Sequence, residues 1–409
     1  MNKTLILMVL LLCGALPLTA GNSIFSYDGF PVQYYGKDIY SLGMGDTGSS
    51  DVFRYNTGFG NPAMHSPTNR VLLATGLIMG WTSYRSQDAD GTRYSFMDDS
   101  LDLPYFSLSI PIKRHRLGFQ FNSFASGVVS NQRQFTLEDS TVVTEKQSMD
   151  KYLYRADLVY SVRLGSLNLG MSGNYYFGHD NRLFEQEANY GLFNTREELD
   201  RTFKNPNLTV GAIYSFPKFA LGAYYSPPCK LKGGEARTSI HEAEEEVDYE
   251  YRLPAQLSAG VTILPFPEIK AALDFHFEPY SRLDDPSLGD SWKASLGLAY
   301  EPSAEAHQHA FMRIPARTGI SLRRLPFQAN NSDIDELGLS LGLSLPLKRD
   351  VNRLDLGFQY LKRGNLSQNQ LADNSFLLLV GFTGFDILGK PYNRMTPREI
   401  PQKEEMEEW

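Results

Sequence analysis

Two short stretches carry residue types that could do chemistry, and neither has the companions that its chemistry needs. Asp46-Thr47-Gly48 has the form of an aspartic-protease loop, where two carboxylates share one proton, but the 409 residues contain no second Asp-Thr-Gly or Asp-Ser-Gly. His307-Gln308-His309 offers two imidazoles to a metal, but no cysteine or group of carboxylates stands beside it. Neither a His-Glu-x-x-His motif nor a phosphate-binding loop occurs. We therefore expect no enzyme, no metal site and no cofactor.

Composition excludes further classes. The chain has 39 basic and 47 acidic residues, a net charge of −8, which is too acidic for a protein that binds nucleic acid. Hydrophobic residues make up 42% and aromatic residues 12%, so most of the chain is not intrinsically disordered. No run of 18 apolar residues predicts a membrane-spanning helix. A membrane β-barrel stays open, because its apolar residues alternate with polar ones and escape an average of hydropathy.

The N-terminus has the form of a secretory signal peptide over residues 1–20. Lys3 provides the positive start, residues 5–16 an apolar core too short to span a bilayer, and Leu18-Thr19-Ala20 a cleavage site with small residues. After cleavage Cys229 is the remaining cysteine, so we expect no internal disulfide.

Most of the chain alternates between apolar and polar or small residues with a period of two. In the stretch 166–175, Leu167, Leu169 and Met171 would face one way while Asn168 and Ser172 face the other. The same pattern predicts fourteen strands, near residues 70–81, 103–112, 115–126, 150–163, 166–177, 206–216, 219–226, 251–264, 268–279, 290–300, 309–322, 335–346, 352–363 and 374–385.

The connections between these strands alternate in length. Six short ones, such as 113–115 and 301–308, alternate with seven longer polar ones, such as 127–149 and 178–205. Tight periplasmic turns and long outer loops are typical of outer-membrane barrels. We therefore predict an all-β fold, a transmembrane antiparallel barrel of about 14 strands over residues 69–385, in the outer membrane of a Gram-negative-type envelope. An even number of strands would leave both mature termini in the periplasm.

Residues 21–68 do not alternate, and they carry the resemblance to a known family. A glycine-rich stretch, 41–48, is followed by Asn61-Pro62-Ala63 directly before the first strand. This order resembles the long-chain fatty-acid transporters (FadL and its toluene-uptake relatives), whose wider superfamily includes PorV-like barrels of the type IX secretion system. The resemblance implies that residues 21–68 form a hatch that plugs the lumen. The hatch residues would then be Gly43, Gly45, Asn61, Pro62 and Ala63.

Two features of the strands bear on transport. The first and last strands are apolar on both faces, so an apolar strip of Leu72, Ile78, Leu377 and Leu379 would face the lumen, against either the hatch or a hydrophobic ligand. In the third strand the alternation slips at Asn122 and Ser123, as a bulge or kink would produce. In the fatty-acid transporters a kink in this strand opens the wall sideways, and a strand that simply ends there would give the same pattern.

After the last strand, residues 386–409 are rich in proline and acidic residues and are predicted to form a disordered periplasmic tail. The function we expect is passive uptake of hydrophobic small molecules, such as fatty acids or aromatic hydrocarbons, by a barrel surrounded by outer-membrane lipids. The alternative is a PorV-like accessory barrel that binds proteins, with the tail docking a periplasmic partner.

Overall fold

The computed structural model describes residues 23–26, 38–54, 60–64, 70–88, 90–137, 140–188, 194–240, 245–283, 288–302, 310–348 and 352–385. The predicted signal peptide (1–20), the predicted tail (386–409) and the His307–His309 pair lie outside these residues. Within them, no helix has the length and apolar character needed to cross a membrane.

Fourteen strands form one antiparallel sheet, and three of them are interrupted once. The interruptions fall at 103–104, 227–228 and 254–255, and each contains a proline, which has no N–H to give to a neighbouring strand. The strands are β1 Leu72–Gln87, β2 Arg93–Asp102 with Tyr105–Ile112, β3 His115–Thr136, β4 Val142–Leu164, β5 Leu167–Ala188, β6 Thr195–Ser215, β7 Phe219–Ser226 with Cys229–Ser239, β8 Val247–Leu253 with Gln256–Phe266, β9 Ile269–Glu278, β10 Ser291–Tyr300, β11 Ala316–Ala329, β12 Ser332–Lys348, β13 Asn352–Gly364 and β14 Leu371–Phe385.

The first and last strands close the sheet into a barrel. β1 pairs antiparallel with β14, from Leu72 opposite Phe385 to Ser86 opposite Leu371. The predicted fourteen-stranded antiparallel barrel is therefore confirmed. We call the end where 113–114 joins β2 to β3 the turn end, and the opposite end, where 88–92 joins β1 to β2, the loop end.

The wall has its polar side chains inside and its apolar side chains outside, the reverse of a water-soluble protein. In β9, Lys270 and Asp274 are each 1% exposed, whereas Leu273 is 51% and Phe275 is 49% exposed. The other strands repeat this alternation, with outward residues such as Leu298, Ile320 and Leu341. Apolar residues on the outer face are stable when that face meets lipid.

Strands extend further at the loop end than the alternation predicted. The predicted long connections 127–149 and 178–205 are reduced to 137–141 and 189–194, because β3 to β6 continue as hydrogen-bonded strands. Polar residues on the outer face of these extensions remove the period-two signal without breaking the backbone ladder. At the turn end the difference is opposite, because β11 begins at Ala316 and the connection spans 301–315 rather than 301–308.

Among the residues that the structure describes, five short helices accompany the barrel, three of them 3₁₀ turns. They are the 3₁₀ turns Ile24–Ser26, Tyr280–Arg282 and Ala310–Arg313 and the α-helices α1 Ile39–Leu42 and α2 Leu366–Asn369. The first lies at the loop end, where Phe25 packs against Leu325 and Ile334. β14 ends at the turn end, so the two ends of the described chain lie at opposite ends of the barrel. The mature termini themselves lie outside the described residues, so the expectation that both are periplasmic stays a prediction.

Candidate functional site

The N-terminal segment, by which we mean residues 38–54 and 60–64, lies inside the barrel with most of its side chains buried. Asp38 caps α1, since its carboxylate accepts a hydrogen bond from the Ser41 backbone N–H at 2.8 Å. Arg54 returns to the same point, with its guanidinium 3.3 Å from the Asp38 carboxylate and 2.6 Å from the Ser41 hydroxyl. Residues 38–54 thus form a compact loop whose two ends are joined by a buried ion pair.

Charged side chains of β9 and β10 attach this segment to the wall. Lys270 lies 2.7 Å from the Asp51 carboxylate, and Lys293 forms a short ion pair with Asp46. Asp274 accepts hydrogen bonds from the backbone N–H groups of Gly48 and Ser49, at 2.7 and 2.8 Å. Buried charges are stable only when paired in this way, so these contacts determine where the segment sits.

Tyr40 is the centre of a second group of contacts. Its ring lies under three cations, with Arg317, Lys270 and Arg54 at 4.3, 4.8 and 5.4 Å from the ring centroid. Its hydroxyl donates to Glu301 at 2.6 Å and accepts from Lys270 at 2.6 Å. Burial, together with the carboxylates of Glu301 and Asp51, raises the pKa of the Tyr40 hydroxyl well above its ordinary value. Tyr40 therefore stays protonated and keeps its role as donor.

Glycines on the lumen face let the segment lie directly on the wall. A Cβ added at any of five of them would overlap atoms of the segment, at Pro62, Asn61, Ser49, Met44 or Gly45. These five glycines are Gly170, Gly211, Gly222, Gly297 and Gly319, on β5, β6, β7, β10 and β11. We call these five glycines the glycine belt. The sequence alone did not reveal it, because a glycine on the polar face of a strand looks like any other small residue.

The residues that the family resemblance assigned to a hatch all lie in this segment. Gly45 has a left-handed backbone (φ 71°), and a Cβ there would stand 2.9 Å from the backbone of Ile320, so glycine is needed for both conformation and space. Gly43 lies against the Arg317 guanidinium. The side-chain amide of Asn61 donates to the Ser49 carbonyl at 2.8 Å and its oxygen accepts from the Ala63 N–H at 2.9 Å. Their function as a hatch stays a prediction.

The apolar strip predicted on β1 and β14 is present, and α1 covers it. Ile78, Leu377 and Leu379 form one buried cluster with Ile39 and Leu42 of the segment. Leu72 is also buried, with 1% of its surface exposed. In this structure the strip therefore packs against the segment, and its role as a ligand pocket stays a prediction.

The slip of alternation in the third strand coincides with an irregularity of the ladder. The register between β3 and β4 shifts between Ser123 and Ala125, and the Ser123 N–H bonds to the carbonyl of Pro104, at the interruption of β2. Asn122 donates to Asp157 at 2.9 Å inside the lumen. The shift turns Phe124 to the inside, where it is fully buried. Sideways opening at this place stays a prediction.

On the loop-end side of the segment, the lumen face of β3 to β8 carries an apolar cluster that the sequence did not reveal. Phe124, Leu153, Tyr176, Phe203 and Leu231 are each at most 2% exposed and contact one another. They occupy positions where the alternation predicts polar residues. Along the barrel axis, this apolar cluster therefore lies between the charged contacts of the segment and the loop end.

A cavity lies at each end of the lumen, and the N-terminal part of the chain lines both. The loop-end cavity measures about 590 Å³ and is bounded by Ile24 and Phe25. Its polar lining residues within the described chain are all carboxamides, namely Gln87, Asn131, Gln147, Gln328, Asn330, Asn369 and Gln370. The turn-end cavity measures about 580 Å³ and is bounded by Val52 and Phe53 of the segment.

Two sequence motifs of hydrolases have structural roles here. Asp46 of Asp46-Thr47-Gly48 is the partner of Lys293. Gly338-Leu339-Ser340-Leu341-Gly342 has the Gly-x-Ser-x-Gly form, but it lies within the regular strand β12 and not at a strand-to-helix turn. The Ser340 hydroxyl accepts a hydrogen bond from the Gly45 N–H at 2.7 Å. No cluster of metal-ligating side chains occurs among the described residues.

Comparison with known proteins shows a family and a fold. A family model described as BamG matches residues 1–386. A FadL homologue of Pseudomonas aeruginosa is 13% identical with a TM-score of 0.59, covering 87% of this chain and 99% of its own. The toluene transporters TodX of Pseudomonas putida (15%, TM-score 0.56, 87% and 98%) and TbuX of Ralstonia pickettii (11%, TM-score 0.53, 85% and 98%) are similar in the same way. No curated protein matches the chain.

Proposed function

The chain belongs to the BamG family, whose model matches residues 1–386, and we propose that it is a channel for passive uptake of hydrophobic small molecules across an outer membrane. The fold that it shares with solved toluene transporters supports this proposal. The observation that carries the proposal is the course of the N-terminal part of the chain. It lines a cavity at the loop end through Ile24 and Phe25 and another at the turn end through Val52 and Phe53.

The outward face of the barrel supports the membrane location. Its large apolar side chains are about half exposed, as Leu273, Phe275 and Leu298 illustrate, while lysines and aspartates of the same strands are buried inside. Lipid around the barrel gives those apolar side chains an apolar environment. We place the loop end on the outside of the cell, because most connections at the opposite end are turns of two or three residues, as on the periplasmic side of such barrels.

The route we propose begins in the loop-end cavity and passes the N-terminal segment. Because the segment is held by Lys270, Lys293 and Asp274 of the wall, passage requires that it shift, after which the ligand leaves through the turn-end cavity. An exit sideways at the bulge of β3, between Ser123 and Ala125, would leave the segment in place.

A disulfide between segment and wall tests this route. The hydroxyl oxygens of Ser49 and Ser258 are 2.8 Å apart, so Ser49→Cys with Ser258→Cys, in a Cys229→Ser background, should bring two thiols close enough to form a cross-link. The measurement is uptake of radiolabelled toluene and 1-decanol by intact cells that express each variant. Oxidised double-cysteine protein should reduce uptake to the level of cells without the barrel, and a reductant should restore it.

The matched controls are the two single-cysteine variants, which should take up both compounds as the parent does under either redox condition. Uptake that survives the cross-link would place the route away from the segment and favour the sideways exit. Wild-type uptake no greater than that of cells without the barrel would contradict the channel function itself.

One observation favours a second candidate, an accessory barrel that binds proteins instead of conducting small molecules. The buried ion pairs and the glycine belt attach the segment to the wall over six strands, as would suit a permanently closed lumen. A periplasmic partner would then meet the turn end or the tail at 386–409, which lies outside the described residues. Absence of uptake, together with a partner that co-purifies with the full chain and is lost on removal of residues 386–409, would support this reading.

A further inference from the structure

We propose that the loop-end cavity is a binding site for uncharged amphiphiles, molecules with an apolar chain or ring and a neutral hydrogen-bonding head, and that it discriminates against ionised heads such as a free carboxylate. The inference deepens the proposed uptake function, on which it rests, by naming the substrate class. It follows from the chemistry of the residues that line this cavity.

The cavity combines an apolar floor with one kind of polar group. Phe25 packs with Leu325 and Ile334, and Ile24, Phe327 and Leu371 join the same cluster. Phe96, which also lines the cavity, stacks on Tyr84 with ring centroids 4.5 Å apart. Every polar side chain that the structure describes in the lining is a carboxamide. An apolar ligand part would thus meet aromatic and aliphatic surface, with amides around it.

A carboxamide both donates and accepts hydrogen bonds and carries no charge. It therefore matches a hydroxyl, an amide or an ester, each of which needs a donor, an acceptor or both. An ionised carboxylate or ammonium group that leaves water needs an opposite charge to offset its lost hydration. The described lining residues of this cavity supply no such charge.

Three of these amides are placed to contact a ligand. Within the described part of the chain, no residue is hydrogen-bonded to the side-chain amide of Gln87, Asn131 or Gln370, whereas the Asn369 amide donates to backbone carbonyls around it. Gln370 has a left-handed backbone (φ 58°), which a side chain other than glycine or asparagine rarely adopts. Its carbonyl accepts from the Gln87 N–H at 2.8 Å, so the two residues are held side by side.

The cavity at the other end shows that this lining is not general to the lumen. The turn-end cavity is lined by two cations, Arg163 and Lys270, and by two carboxylates, Glu268 and Glu301. A ligand with an ionised head would find counter-charges there, and none among the described residues that line the loop-end cavity. Selection against charge is therefore a property of the outer cavity, where a ligand from outside the cell would bind first.

Four ligands with the same ten-carbon chain test the inference. They are 1-decanol, decanamide, decanoate and decylammonium, at pH 7.5, competing with tritiated 1-decanol for the full chain in lipid nanodiscs. Empty nanodiscs correct for partition into lipid, and nanodiscs replace glycoside detergents because those are themselves uncharged amphiphiles. We expect decanol and decanamide to compete at least tenfold better than decanoate and decylammonium.

Variants place the binding in this cavity. Gln87→Leu and Asn131→Leu should each weaken decanol binding at least threefold, because the head loses a hydrogen-bonding partner. Gln132→Leu is the matched control, since adjacent residues of a strand face opposite sides and Gln132 does not line the cavity. Asn131→Lys should reverse the preference, with decanoate then binding at least as tightly as decanol.

Equal competition by decanoate and decanol in the wild type, absence of saturable binding, or unchanged binding in both amide variants would each overturn the inference. Its failure is distinguishable from failure of the uptake function. Uptake of neutral and anionic compounds alike would refute the selectivity and keep the channel. Selective binding without uptake would keep the site and refute the channel.

Discussion

At the scale of single residues, opposite charges decide where the N-terminal segment rests. Lys293 of β10 pairs with Asp46, and Lys270 of β9 pairs with Asp51. All four side chains are at most 7% exposed, so water does little to weaken these pairs. Loss of Asp46 removes the short ion pair of Lys293 and leaves that buried ammonium with fewer opposite charges, whereas loss of both removes the two charges of the pair together.

Asp46→Asn should therefore loosen the segment by about 3–5 kcal/mol, while the double variant Asp46→Leu with Lys293→Met should stay close to the wild type. The measurement is hydrogen exchange of segment amides in the folded barrel, which reports local opening. Exchange in the double variant as fast as in Asp46→Asn would show that this pair does not hold the segment through charge compensation.

At the scale of elements, the alternation of side chains along each strand provides both the apolar outer face and the inner surface that contacts the segment. Outward positions are apolar, and inward positions carry either the ionic contacts or a glycine against which the segment lies. Gly297 and Gly319 are directly opposite each other on β10 and β11. A side chain at either would occupy the space that Met44 and Gly45 fill. The glycine belt therefore determines both the position of the segment in the lumen and its close contact with the wall.

Gly319→Val should displace the segment, because the new side chain would overlap the backbone of Met44 and Gly45. Limited trypsin digestion would detect this as new cleavage after Arg54, which is 4% exposed in the native protein. The control is Gly173→Val on β5, where an added Cβ has nothing within 4 Å. If Gly319→Val resists trypsin at Arg54 as the control does, close contact with the belt is not what holds the segment.

At the scale of the whole molecule, the two cavities differ in chemistry, so the orientation of the barrel in the membrane decides which one a ligand meets first. The loop end has the uncharged cavity and the strand extensions of β3 to β6, and the turn end has the charged cavity. The proposed uptake and the proposed selectivity both need the loop end outside the cell.

Cysteine labelling of intact cells tests this orientation. In a Cys229→Ser background, a membrane-impermeant maleimide should label Thr92→Cys, which is exposed at the loop end. Arg114→Cys, exposed at the turn end, should react only after the outer membrane is permeabilised. The reverse result would mean that the charged cavity faces outward, and the proposed order of binding would be wrong.

The local alternation of side chains along the sequence was sufficient to predict the barrel. A period of two in side-chain character reports which face of a strand is which, so Leu273 and Asp274 could be assigned to opposite sides from neighbouring residues alone. The fourteen strands followed from this pattern, and the slip at Asn122–Ser123 coincides with a real shift of register. Strand lengths at the loop end were underestimated, since the backbone ladder of β3 to β6 continues where the alternation stops.

The sequence by itself determined the number of strands, the closed antiparallel sheet and the apolar outer face, because each depends on residues near one another in the chain. Only the tertiary structure decided how the lumen is filled. Asp46 and Lys293 are 247 residues apart, and Gly45 and Ser340 are 295 apart. The loop-end cavity likewise joins Phe25, Gln87 and Gln370. Closure of the barrel brings such distant residues together, and the local periodicity of the sequence does not indicate which of them will be in contact.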